Sequence, residues 1–289
     1  MKTRITAGVA LGLALTAPAA APAEAAAPRP VSGAAVYGGA QLARYQGGGW
    51  STLARTGALP QVAASPDGKK AAWVTDGGRL QVRQNGKTTT LVSGLQGGTP
   101  CLTPVWSPDS TRLAYAGGAD TIMSVPADAG TAPRELGRSK GVCHLAWSAN
   151  GRYLAGYTGT ADAVYRLDVR TGKAARAKGV KLVTHVQSLS PDGRRAVVEF
   201  PRNADALGDG SWPAAFKPVV LDLVSGRRQA PKVKGRLIGA TYLPDGRLVV
   251  RVAGAAHNTL VVLDAAGKEL QRLAEPARAK DRALLQVLP

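Results

Sequence analysis

The chain has 289 residues and a formal net charge of +18, with 45% hydrophobic residues but only 5% aromatic ones. That length is long for a single compact core and ordinary for a closed all-β repeat fold. The charge keeps a protein soluble and favours polyanionic contacts, while the absence of Cys-x-x-Cys, His-Glu-x-x-His, Gly-x-Ser-x-Gly and a phosphate-cradling glycine loop excludes ordinary zinc, serine-hydrolase and nucleotide sites.

The amino terminus carries processing information. Lys2 and Arg4 precede an apolar run from Ile5 to Thr16, and Ala23-Glu24-Ala25 supplies a small-x-small cleavage pattern. A signal peptide is therefore expected over residues 1–25, a short disordered linker over 26–30 and the folded domain over 31–289. No cysteine stands near the cleavage site to take a lipid, and no later apolar run approaches a membrane span. The expected product is exported to the medium or the cell wall, without membrane insertion.

From Gly33 onward the chain reads as strands. Gly33–Tyr37, Gln41–Gln46 and Trp50–Arg55 match a later trio, Lys70–Trp73, Arg79–Gln84 and Thr88–Val92. A turn then recurs five times: Ser65-Pro66-Asp67-Gly68, Ser107-Pro108-Asp109-Ser110, Ser148-Ala149-Asn150-Gly151, Ser190-Pro191-Asp192-Gly193 and Leu243-Pro244-Asp245-Gly246. The spacings of 42, 41, 42 and 53 residues lie in the range of a propeller blade. Proline pre-sets the second turn position, Asp bonds its own backbone and Gly accepts a positive φ, so each turn joins two strands, a and b. A second turn in each repeat (Asn85-Gly86, Asp128–Gly130, Asp168–Gly172, Asp222–Gly226, Asp264–Gly267) joins strands c and d. The amino-terminal trio lacks a strand a, which Arg282–Leu288 supplies. The expected fold is all-β: a six-bladed β-propeller of four-stranded antiparallel blades, closed by pairing the N-terminal strands with the C-terminal strand.

The repeat, Ser-Pro-Asp-Gly followed by a basic residue and an apolar strand, resembles the TolB-like propeller family over essentially the whole of 31–289. The resemblance implies an extracytoplasmic six-bladed propeller. There is no room for the α/β domain that precedes the propeller in the Tol protein, so partner docking of the Tol kind is not implied. Some propellers of similar build are metal-dependent lyases of acidic sugars, which gives a second expectation: a metal-assisted lyase or hydrolase acting on acidic polysaccharide.

Propeller topology sorts the unusual residues onto two faces. Lys69, Lys70, Arg112, Arg152, Arg194, Arg195 and Arg247 follow the a–b turns and should ring one face, partly neutralised by Asp67, Asp109 and Asp192, as a weak polyanion contact. The opposite face collects Cys101, Cys143, His144 and His185 at the starts of strands a, His257 in a b–c connection, and the loop that lengthens the last spacing, with Asn203, Asp205, Asp209 and Trp212. Extra loop length on a rigid ring is where binding usually resides. These loop residues and histidines are the candidate partner-binding site, and three imidazoles with an aspartate would suit a transition metal. Cys101 and Cys143 have opposite strand parity in adjacent blades, which fits a disulfide; two buried thiols or one reactive thiol are the alternatives.

The leading expectation is a monomeric, non-catalytic module without a cofactor. It binds a protein or a cell-wall glycan at the channel mouth, with Trp212 as anchor, packing of Trp212 and Pro213 down on their own blade being the alternative, and does not bind nucleic acid.

Overall fold

The Ser of each turn motif is a clasp. Ser65 Oγ donates to Asp67 Oδ1 (2.5 Å) and accepts from Lys70 N (2.9 Å), while Lys69 N donates to the same carboxylate. Ser107 and Ser190 repeat the pattern, and Ser148 does so with Asn150 in place of aspartate, at 2.7 Å. The fourth turn position has φ of +66° at Gly68, +67° at Gly193 and +59° at Ser110, the region that glycine enters without penalty. Leu243 has no hydroxyl, and its turn is held instead by Arg247, whose N and Nε both donate to Asp245.

In the computed structural model, which describes residues 29–55, 61–203 and 210–288, these turns organise six four-stranded antiparallel sheets. The signal peptide expected over 1–25 lies outside the described residues. Blade 1 is made of Ala283–Val287, Ala35–Gly38, Gln41–Gln46 and Gly49–Arg55, so its strand a comes from the carboxyl end. Ala35 pairs with Val287 and Tyr37 with Leu284, and this pairing closes the ring as the sequence implies. The other inner strands are Val62–Ala64, Val105–Trp106, Cys143–Trp147, His185–Leu189 and Leu237–Tyr242 in blades 2 to 6. Each touches the inner strands on either side in a closed circuit.

Burial follows radius. Strand b of blade 2, Ala71–Val74, is buried throughout, because blades cover both of its faces; the outermost strand, Lys87–Val92, is largely exposed. Small residues set the blade spacing: a Cβ on Gly137 would stand 2.5 Å from the Gly172 carbonyl of the next blade. Among the described residues the 3-10 turn Ala277–Ala279 is a short helical element, and no helix is long and apolar enough to cross a membrane.

A buried ion pair secures the closure. Arg251, 1% exposed, bonds Glu275, 0% exposed, at 2.9 Å. Its other nitrogens donate to the carbonyls of Ala214, Ala279, Lys280 and Arg282. One guanidinium thus ties blade 6 to the segment entering the closing strand and to the chain following Trp212. Asn258 Nδ2 completes the cluster by donating to Glu275.

Candidate functional site

The inner strands enclose an axial well of about 280 Å³. Its rim is formed by the turn residues Pro66, Pro108, Ala149 and Pro244, and its wall by Trp106, Trp147, Tyr242 and small apolar residues such as Ala63 and Ala146. Trp212 and Gln187 line its inner end. All of these wall residues belong to the turn-proximal halves of the strands, so the well opens on the a–b turn face.

Beyond this inner end the channel is filled by a buried cluster. His144 and His185, from blades 4 and 5, are both 0% exposed, with Nδ1 atoms 2.5 Å apart. The Nε2–H of His144 donates to the Gly210 carbonyl (2.7 Å), and the Nε2–H of His185 to Gln187 Oε1 (2.8 Å). Gln187 is oriented by its own amide, which donates to the carbonyls of Leu284 and Leu285 in the closing strand at 3.2 Å. With both Nε2–H groups committed to oxygens, the contact between the two Nδ1 atoms has room for one further proton. Burial works against that charge: it pulls His144 down to about 4, and burial and then the neighbouring His144 pull His185 well below 6.5.

The backbone explains why the two rings meet. Strands a and b of blade 4 lose register between Cys143 and Ala146, and His144 has φ of +44°, a left-handed conformation uncommon for histidine. Cys143 is bonded to Cys101, and His144 N donates to the Cys101 carbonyl at 2.7 Å. The expected disulfide is present, between adjacent blades, and sits beside the histidine pair.

Trp212 stacks on His144 (centroids 4.9 Å apart, planes 7° apart), meets His185 edge-on, and donates its Nε1–H to Val62 O at 3.0 Å. Three of the candidates, His144, His185 and Trp212, therefore come together, but as a packed plug that shows the well one face of the indole. His257 stands apart, exposed, with Nδ1 on the Asn258 carbonyl. Asn203 is exposed at the start of the long loop, and Asp205 and Asp209 lie outside the described residues. Among the described residues no group of three or more His, Cys, Asp or Glu is placed to hold a metal.

The turn-face cations are more engaged than their number implies. Arg152 pairs with Asp168 at 2.7 Å, Arg194 with Asp222 at 2.8 Å and Arg247 with Asp245 at 2.7 Å. Lys70 donates to the Ser110 carbonyl of the next blade, above the Trp106 ring.

No family model matches the sequence, and no curated protein matches it closely enough to be a relative. Solved structures do match in fold. TolB from Acinetobacter baumannii superposes with a TM-score of 0.54 and 17% identity over 84% of this chain, which spans 63% of that one. The propeller assigned as TolB from Agrobacterium tumefaciens gives 0.51 and 17% over 83% of this chain and 94% of that chain. A chain of a nidogen–laminin complex gives 0.53 and 13%, over 88% and 98%. At these identities the likeness is one of fold. In architecture this chain is a TolB-like six-bladed β-propeller.

Proposed function

We propose that this protein is a secreted, non-catalytic binding propeller that receives an apolar side chain of a protein partner in its axial well. The well itself carries the reading. It is apolar, walled by a closed ring of strands, and has Trp212 at its inner end. Its volume of about 280 Å³ is below the ~300–1,000 Å³ of small-molecule pockets, and suits one or two inserted side chains. Aromatic walls that exclude water around an inserted anchor are where interface energy concentrates. One fold neighbour comes from a nidogen–laminin complex; the proposal gives this chain a comparable role in protein assembly. In this reading Trp212 contacts the partner from the turn face instead of the loop face.

The test is peptide selection. Peptides selected from a random library on the immobilised protein are assayed against Ala149→Trp, which fills the mouth of the well from a half-buried turn position. Enriched sequences with an aromatic or aliphatic anchor that lose binding to Ala149→Trp, at unchanged thermal stability, support the reading. Equal binding to both proteins, or selective retention of wall glycan with no peptide enriched, overturns it.

A further inference from the structure

A second cavity, of about 730 Å³, lies between blades 5 and 6 on the turn face, where two side chains that close the preceding boundary have no counterpart. At the boundary between blades 4 and 5, Arg166 spans the gap: its Nη1 donates to the Gly193 carbonyl of the next blade (3.4 Å), and its guanidinium lies 4.6 Å from the Tyr153 ring centroid. Tyr153 fills what remains, since a Cβ on Gly193 would stand 2.5 Å from that ring. Arg44 makes the same reach from blade 1 to the Gly68 carbonyl of blade 2. Strand register identifies the corresponding residues one blade later. Tyr153 pairs with Asp168 as Arg195 pairs with Asp222, and Arg166 lies opposite Ala155 as Val220 lies opposite Val197. Val220 is too short to reach Gly246, and the nearest atom that a Cβ there would meet is Pro191 Cγ at 3.7 Å. The space that an arginine and a tyrosine fill at one boundary is open at the next.

The lining has two characters. Val220, Leu248, Leu263 and the half-buried Tyr242 form an apolar floor. Arg195, Arg227 and Lys232 stand at the wall, exposed; among the described residues none of them makes a salt bridge within 4.0 Å, although the charge of Arg195 is felt by Asp192. The neighbouring carboxylates are occupied by turns: Asp192 accepts from Ser190 Oγ and Arg194 N, Asp222 from Val224 N, Ser225 N and Arg194 Nε, and Asp264 from Ala266 N and Lys268 N. Arg195 also bonds the Tyr242 hydroxyl, which places its charge over the floor.

We infer that this cleft is a binding site for small amphipathic anions, taking the apolar or aromatic body on the Val220–Leu248–Leu263 floor and the oxyanion at Arg195, Arg227 and Lys232. Pockets of this size and mixed lining suit a compact organic ligand, and guanidinium groups bind planar and tetrahedral oxyanions through paired N–H donors. The site is separate from the axial well and does not depend on its role.

The test is calorimetric titration with 2-naphthoate, 2-naphthyl phosphate, 2-naphthol and inorganic phosphate, the last two lacking the charge and the body respectively. At least one of the two naphthyl anions should bind more tightly than either control, and which of them does identifies carboxylate or phosphate as the preferred group. Arg195→Gln should weaken that binding about tenfold. The decisive variant is Val220→Arg, which restores the bridge to Gly246 and adds positive charge. Closure of the cleft predicts loss of binding; general attraction to a basic surface predicts tighter binding. Titrations of Ala149→Trp keep the well out of the readout and should be unchanged. Naphthol binding as well as the anions, or Val220→Arg binding as well as the parent with its fold intact, overturns the inference.

Discussion

The indole of Trp212 lies flat on the imidazole of His144, 4.9 Å between centroids, while its N–H bonds the Val62 carbonyl two blades away. One side chain from the long loop thus joins blades 2 and 4, past the intervening blade 3, and forms the inner end of the well.

Trp212→Ala should remove this plug and cost about 3 kcal/mol, the range of large-to-small changes in packed sites. Trp212→Phe keeps the stack and loses only the bond to Val62, at about 1 kcal/mol. Urea unfolding of the two variants gives both values.

The histidine pair sets an acid-sensitive window. Both folded-state pKa values are depressed by burial, with His144 at about 4, so the unfolded chain takes up protons first as pH falls from 6.5. Stability should decline as pH falls from about 6.5, by on the order of a few kcal/mol, with the His144 share of the decline complete near 4. Glu199, whose carboxyl is raised by burial, works with the opposite sign above its usual 4.5. Asp168, held low chiefly by Arg152, and Asp222, held low against burial by the Ser225 N–H and then Arg194, lose their contributions only below 3.8. Unfolding measured from pH 7 to 4 should lose most of its slope in a His144→Gln/His185→Gln double variant.

Arg251 should be the costliest residue in the ring to replace. Arg251→Met leaves the Glu275 carboxyl, 0% exposed, without its cation and with Asn258 still donating to it, a loss of about 3–5 kcal/mol. The double variant Arg251→Met/Glu275→Leu should recover part of it. Hydrogen exchange should show the single variant loosening first in the closing strand, 283–287.

The disulfide closes a span of 42 residues between blades 3 and 4. Its removal as Cys101→Ser/Cys143→Ser should lower stability by about 4 kcal/mol in the chain-entropy description. The buried histidines should then exchange and titrate more readily, because His144 N is held by the Cys101 carbonyl. NMR of the imidazole protons follows this directly.

Much of the ring is legible in the sequence because its signals are local and repeated. The serine clasp and positive-φ turn recur at blade period, and Arg282–Leu288 could be read as a missing strand because every other blade has one. Strand parity likewise gave the Cys101–Cys143 bridge. The site is less legible because it rests on departures from the repeat. The left-handed backbone at His144 has no marker in its residue type, so the two histidines read as channel groups instead of as a contacting pair. Trp212 docks on Val62, 150 residues away, which turns a loop anchor into a plug. Gln187 and the Gly210 carbonyl, which fix the imidazoles, carry no motif. Val220 shows its meaning only when strand register sets it beside Arg166.

The central claim, that a partner docks on the turn face through the axial well, is tested most directly by hydrogen–deuterium exchange of the protein with and without its tightest selected peptide. The account predicts protection at the rim, over residues 63–68, 104–110, 145–151 and 241–246, with little change on the opposite face. Protection at 201–203 and 253–258, with the turns unaffected, would place the partner on the loop face and contradict it.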